Sequence, residues 1–210
     1  MKVELVRMTE NSVEAIELAA SNCYDSEPSD GRIMDACYES GHDSLFEFCD
    51  FHFHVEEVSR ALLAQITRHR TSSFSVRSQR YVKEDGFGYV IPDTIAENEF
   101  SKVLYQKEME RIQDTYNKLL RDEIPAEDAR YILPNACYTK FDIKFDLRNF
   151  IHFCNLRLCR RAQWEIRYLA MEMRELVIER EPRYSNYLVP KCEIHRDKPF
   201  CPEHKSCGRH

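Results

Sequence analysis

Polar and apolar positions recur with readable periods along most of the chain. Residues 2–8 (KVELVRM) read as a short opening strand, and a helix follows from about Asn11 to Cys23. The stretch 25–31 (DSEPSDG) is a loop, and a short helix then runs to about Ser40. Residues 48–55 alternate, with Phe51, Phe53 and Val55 on one face and Asp50, His52 and His54 on the other, the pattern of a half-buried strand. From Glu56 the period becomes helical, with Val58, Ala61, Leu62, Gln65, Ile66 and His69 along one stripe. A polar loop comes next, then an irregular stretch carrying Gly86, Gly88 and Pro92. Residues 97–122 predict a long amphipathic helix, and 125–133 a short one with Pro125 near its first position. Residues 136–146 alternate as a second strong strand, and 147–181 read as helix with a break near Cys159–Ala162. No repeat and no linker interrupts the chain before about Pro182. The expected fold is a single mixed α/β (α+β) domain over 1–181, an antiparallel-type sheet flanked by long helices, with 182–210 as a tail.

Composition narrows the function classes. No run approaches the roughly 20 apolar residues that span a bilayer, and the first residues lack the apolar stretch of a secretory signal. The nine cysteines are an odd number, six of them (Cys23, Cys37, Cys49, Cys137, Cys154 and Cys159) scattered through apolar or periodic segments, as expected of reduced thiols in a cytoplasmic protein. Only five glycines are present, and neither a dinucleotide fingerprint nor a P-loop can be assembled from them. Any nucleotide must therefore be gripped mainly by side chains. The net charge of -6 argues against a generic nucleic-acid binder.

Two basic clusters stand out in this acidic chain. Arg68, Arg70, Arg77 and Arg80 fall within 68–80, with no acid among them and with Thr71, Ser72, Ser73, Ser75 and Ser78 between. Guanidinium forks with hydroxyls hold phosphate without glycines. On a helix, Arg68 and Arg70 would project about 200° apart and serve two ligands. The second cluster spans 146–167, where Arg148, His152 and Asn155 share one helical face and Arg157 points to the opposite one. A solvated helix end accounts for either cluster alone.

Taken in order, these residues resemble the flavin-dependent thymidylate synthases. Arg68-His69-Arg70, then seven residues, then Ser78-Gln79-Arg80-Tyr81 is similar to the family signature. Gly41-His42-Asp43-Ser44, Glu47, the FHFHV strand, Ser59-Arg60-Ala61 and Gln65 match upstream. Ala129 to Pro134, Arg148, Asn155-Leu156-Arg157 and Ala162 to Arg167 match downstream. The resemblance implies the thymidylate synthase complementing protein fold and a homotetramer with shared active sites. It also implies methylation of 2′-deoxyuridine 5′-monophosphate by methylenetetrahydrofolate, with FAD as hydride carrier and NADPH as reductant. By position, His42, Ser44, Arg68, His69, Arg70, Asp146, Arg148 and His152 would line the FAD. Gln65, Ile66, Thr67, Arg68, Ser78, Gln79, Arg80, Arg130 and Arg157 would hold the nucleotide. Arg157 would carry the catalytic charge, and Ser78 would position substrate.

Three positions depart from the family pattern. Ser75-Val76 stand where many members have Asn-Glu, Asp146 where asparagine is common, and Phe48 where histidine is frequent. The first departure supports a second reading, a non-catalytic nucleotide or nucleic-acid binding module. His52 and His54 read as polar-face residues and Trp164 as core. In the tail, Cys192, His195, Cys201, His204, Cys207 and His210 carry zinc-type donors. Their steps of three are not those of a standard finger, so no metal site is assigned and a polar, loosely packed terminus is expected.

Overall fold

The side chains of β2 (Asp50–Ser59) and of β4 (Tyr138–Asp146) obey the alternation that predicts them. Phe51, Phe53 and Val55 are fully buried, as are Phe141, Ile143 and Phe145, while the residues between them stay partly solvated. In the computed structural model, which describes every residue except Tyr24 and Arg196, they form the centre of a four-stranded antiparallel sheet. Its order is β1-β2-β4-β3, with β1 (Lys2–Met8) and β3 (Ser73–Val76) at the edges. Helices α1 (Ser12–Ser21), α2 (Arg32–Glu39), α3 (Arg60–Ile66), α4 (Asp93–Ala96), α5 (Glu99–Arg121), α6 (Ala126–Ala129), α7 (Leu147–Arg157) and α8 (Trp164–Arg180) complete the chain. The mixed α/β class is as expected.

Four local expectations are corrected. The strand does not yield to helix at Glu56 but continues to Ser59. Glu57 takes the left-handed region, φ 57°, and the alternation slips there, so that Val58 and Ser59 are buried in succession. That slip hides the strand's last turn from a period-two reading. Ser59 then caps α3 by accepting from Leu62 N at 2.9 Å. Helix α3 stops at Ile66, where Thr67 Oγ1 donates to Leu63 O at 2.9 Å, so Arg68-His69-Arg70 lies beyond the helix and the 200° argument does not apply. Residues 73–76, expected in a loop, form β3, and Arg77 N continues the pairing to Lys140 O at 3.0 Å. Trp164 begins α8 half-buried, its ring edge-on to Tyr168 at 5.9 Å, so it is not core.

The contacts divide the chain into two compact units. The first comprises Met1–Lys2, Val55–Arg68 and Ser75–Phe141; the second comprises Val3–His54, His69–Phe74 and Asp142–His210. Within the first, Phe87, Met109 and Cys137 form a small core against Tyr89, Tyr105, Ile112 and Leu133. Gly88 is required there, since a Cβ would fall 2.3 Å from the Tyr138 ring.

The second unit has an aromatic core. Phe150 lies 5.3 Å from Phe51, 5.5 Å from Phe53 and 5.5 Å from Phe145, with Phe153 5.2 Å from Phe145. Packing does not end at Pro182. Tyr184, Tyr187 and Leu188 are buried, and Tyr184 Oη donates to Ser12 Oγ at 2.7 Å. Arg183 reaches Asp35 at 2.9 Å over Gly31, whose φ of 98° and lack of a Cβ make room for the guanidinium.

Glu17 holds α2 in this second unit. Burial raises its carboxyl, but donors from Ser29 N at 2.8 Å, Ser29 Oγ at 2.6 Å and Met34 N at 2.8 Å outweigh that and keep it below the usual carboxylate range. Its stabilisation is therefore present at neutral pH and lost as pH falls through the lowered value. Glu17→Gln is expected to cost about 1.5–3 kcal/mol, the worth of hydrogen bonds to a charged acceptor. Urea unfolding at neutral pH would show a lower midpoint with an unchanged slope; an unmoved midpoint would remove Glu17 from the support of α2.

Candidate functional site

In the second unit the loop 69–74 is tied to α7 at two places. Arg157, the last residue of the helix, donates Nε–H to His69 Nε2 at 3.1 Å. Thr71 Oγ1 donates to Asn149 Oδ1 at 2.6 Å, eight residues and about 12 Å earlier along the axis. Asn149 is itself fixed by Asp146, the α7 cap, whose two carboxylate oxygens accept from Asn149 N at 2.8 Å and Nδ2 at 2.7 Å. Asp146 thus spends both oxygens on the helix start.

The Arg157–His69 contact has a definite electrostatic form. His69 is 8% exposed, packed edge-on to Phe153 at 5.0 Å and 6.3 Å from the His152 ring. Burial, then the Arg157 charge, then His152 push its imidazole down to about 4. At neutral pH it is uncharged, its Nε2 accepts, and its proton sits on Nδ1. Burial also lowers Arg157, although a guanidinium stays charged throughout. The pair carries one positive charge, half-desolvated and held by a neutral acceptor. His152 itself is exposed on α7.

The remaining flavin-type residues of this unit are more open. Arg148 ion-pairs with Glu47 at 2.6 Å and Asp43 at 3.1 Å. These acids belong to the short 3-10 helix Asp43–Phe48, which His42 caps and which carries Ser44; both residues are exposed. Arg70 is exposed and makes no ion pair among the described residues. The buried Ser72 Oγ beside it has no hydrogen-bond partner.

In the first unit, Gln65, Ile66, Thr67 and Arg68 close α3. The Ile66 side chain is fully buried and serves packing, Thr67 caps, and Arg68 is exposed with no ion pair among the described residues. Ser78 is half-buried, accepting from Arg80 N at 3.3 Å on its Oγ and from Val82 N at 3.0 Å on its carbonyl. Gln79 turns inward, its Nε2 3.7 Å from Cys137 Sγ. Glu127 gathers two arginines: its carboxylate accepts from Arg80 Nε and its carbonyl from Arg130 Nε, each at 3.0 Å.

Sequence reasoning missed the acids. The stretch 68–80 contains none, yet Glu84 pairs with Arg77 through two hydrogen bonds, at 3.1 and 3.0 Å, and removes it from the phosphate-type donors. The spacing of Glu127 and Arg130 was the one visible signal. No core cysteine is activated: burial raises the Cys49 thiol to about 11 and the Cys137 thiol to about 12, and raises Cys154 as well.

Comparison with known proteins places these residues in a family. The family model described as thymidylate synthase complementing protein matches residues 4–183. A flavin-dependent thymidylate synthase of Geobacter sulfurreducens is 39% identical over 205 residues, covering 91% of this chain and 88% of that protein. One of Clostridium tetani is 35% identical over 237 aligned residues, covering 100% and 94%. One of Nitratidesulfovibrio vulgaris is 39% identical over 190, covering 86% and 76%. With a match across most of its length and relatives above 30% identity, the chain belongs to the thymidylate synthase complementing protein family.

Proposed function

We propose that the chain is a flavin-dependent thymidylate synthase. It converts 2′-deoxyuridine 5′-monophosphate to thymidylate, taking the one-carbon unit from methylenetetrahydrofolate, with FAD as hydride carrier and NADPH as reductant. The observation that carries this reading is the half-buried Arg157 held by neutral His69. Carbon 5 of uracil becomes nucleophilic when charge can accumulate at N3 and O4. A preorganised guanidinium in a poorly solvated place stabilises that charge without reorganising. Because His69 accepts rather than donates, it orients Arg157 without adding a competing anion. Ser78, whose Oγ accepts from Arg80 N and meets no activating base among the described residues, positions substrate; Gln65 to Arg68, Gln79, Arg80 and Arg130 are assigned to the nucleotide.

The donor set of the second unit suits a phosphate-bearing dinucleotide. Arg70 is uncommitted, Ser72 Oγ is buried without a partner, and His42, Ser44, His69, Arg148 and His152 supply further polar groups. These residues, with Arg68, would hold FAD, and Asp146 would act through Asn149 and the α7 start. When bound, FAD supplies hydride transfer. We assign the catalytic domain to 1–181 and a tail to 182–210, of which Tyr184, Tyr187 and Leu188 pack into the second unit, and expect a cytoplasmic homotetramer whose ligands are small molecules. Among the described residues no helix is long and apolar enough to cross a membrane.

Incubated with deoxyuridine monophosphate, methylenetetrahydrofolate, FAD and NADPH, the yellow protein is expected to form thymidylate and tetrahydrofolate. Oxidation of NADPH with no thymidylate would sink the reading, and a colourless protein that binds the nucleotide without turnover would favour the binding-module alternative. Arg157→Ala is expected to cost about 2.7–4 kcal/mol of barrier, or 10²–10³ in kcat, with flavin binding nearly kept; near-normal turnover would take Arg157 out of the mechanism.

His69 gives a pH test with a fixed sign. Its folded value of about 4 lies below the unfolded 6.5, so the unfolded chain binds the proton first. Stability is full above about 6.5 and falls as pH drops toward 4. Between pH 7 and 5 this group removes about 2 kcal/mol. His69→Gln keeps an acceptor for Arg157 but does not titrate, and its chemical-denaturation midpoints at the two pH values should differ by correspondingly less. An identical pH dependence in both proteins would contradict the neutral-imidazole assignment.

A further inference from the structure

The C-terminal thiols and imidazoles take no part in the reaction proposed above. Among the described residues of 194–210 there is no helix or strand, and Ile194 and Phe200 are the only large apolar side chains. Phe200 is 63% exposed, so burial cannot fix this segment. Yet within 201–210 every residue is exposed except Cys201 and Cys207, which are turned partly inward. A polar segment that hides only its thiols needs something for them to bind.

One cavity of the second unit, about 300 Å³, meets that need. Its walls include Cys159, Cys192, Cys201, Cys207 and His210, together with Arg161, Lys191 and Arg209. Cys192 Sγ, a Glu193 carboxylate oxygen and a His210 ring nitrogen already lie within 4.8 Å of one another, and Cys201 and Cys207 share the cavity wall outside that group, to be drawn in when an ion binds. The segment is drawn over this cavity by Phe200 N donating to Cys192 O at 3.0 Å and by Arg161 donating to Lys205 O at 3.1 Å.

We propose that Cys192, Cys201, Cys207 and His210 bind one zinc ion tetrahedrally and so fasten residues 201–210 back onto Cys192 in the short 3-10 turn Lys191–Glu193. Sulfur and imidazole are the donors that structural zinc sites use, and carboxylate-preferring cations are not offered three thiols. On binding, each of the three thiols releases its proton to solvent. Three thiolates and a neutral imidazole on a divalent ion leave one negative charge in a cavity whose wall carries Arg157, Arg161, Lys191 and Arg209 against one acid, Glu203, which pairs with Arg161 at 3.4 Å. Glu193 takes the outer position of a carboxylate that orients a ligating imidazole: its Oε1 meets His210 Nε2 at 3.4 Å and Arg209 Nε at 2.6 Å. Steps of three residues crowd an ion only if all six donors must reach it. The exposed His195 and His204 are absent from the cavity wall. The site does not rest on the synthase assignment.

Elemental analysis of the full chain should find about one zinc per chain. Replacement by Co²⁺ should give a thiolate-to-cobalt charge-transfer band. Cys201→Ser, Cys207→Ser and His210→Ala should each lower bound metal to below about a tenth of an equivalent under mild chelation and make 194–210 sensitive to protease. These positions lie outside the packed core, so the variants retain the fold, and Cys23→Ser, exposed and absent from the cavity wall, should keep its metal. Metal-free protein with all nine thiols titratable after denaturation overturns the proposal, as does metal-free protein with two thiols joined as a cystine. Loss of metal in Cys159→Ser with retention in Cys201→Ser overturns the ligand set.

Discussion

Much of the second unit depends on α7 keeping two incompatible environments apart over eleven residues. Its apolar side delivers Phe150, Phe153 and Cys154 to the aromatic core, all with no exposed surface. Its other side presents Arg148 and His152, Asn149 lies at the border, and Arg157 leaves from the last residue on the opposite face. The core fixes the helix in rotation, and rotation fixes what each polar residue can reach: Asn149 takes Thr71, and Arg157 takes His69. Asp146 at the cap sets the first of these contacts, and the helix end sets the second. A change that loosened the ring cluster would therefore move the Arg157 charge without touching it, because aromatic packing at 5–6 Å is what holds the helix in register.

Scarcity of glycine shapes how anions can be bound. Without backbone cradles, the chain relies on arginines, and an arginine kept near others must be neutralised until ligand arrives. Here the pairings differ in kind. Arg148 with Asp43 and Glu47, and Arg80 with Glu127, are pairs of partly exposed side chains. Such pairs are screened by solvent and worth little, so a phosphate can displace the acid at small cost. Arg77 with Glu84 is different, since Glu84 is 6% exposed and its carboxylate would be stranded if the arginine left. The same residue type in one short stretch thus includes exchangeable donors and a fixed structural pair, and acids distant in sequence decide which is which.

That division explains what could be read from the chain and what could not. Strands and helices with a clean period, such as 138–146 and 99–121, were legible because side-chain burial alone specifies them. The end of β2 was not, since Glu57 shifts the alternation by one residue, and β3 was not, since a four-residue edge strand of SFSV owes its state to pairing rather than to pattern. The arginines, His69 and His152 were legible as chemistry. Their partners were less so: Glu47 stood out only through the family resemblance, Glu127 only through its spacing from Arg130, and Glu84 carries no signal in sequence until the fold brings it in. Trp164 failed for a related reason: an apolar residue in a helical stripe is core only if another element covers it, and the first residue of α8 has mainly Tyr168 against it.

The nine cysteines separate by the same criterion of environment. Cys49, Cys137 and Cys154 sit in apolar surroundings that disfavour thiolate, so they behave as small hydrophobes and offer no nucleophile. Cys192, Cys201 and Cys207 instead share a cavity wall with four cationic side chains, Arg157, Arg161, Lys191 and Arg209, and one acid, Glu203, while burial raises the Cys192 thiol. Core thiols need no polar neighbours, and tail thiols facing arginine and lysine would be poorly placed for packing. Thiols gathered on one cavity wall offer a metal the soft donors it selects, and it is metal binding itself that removes their protons.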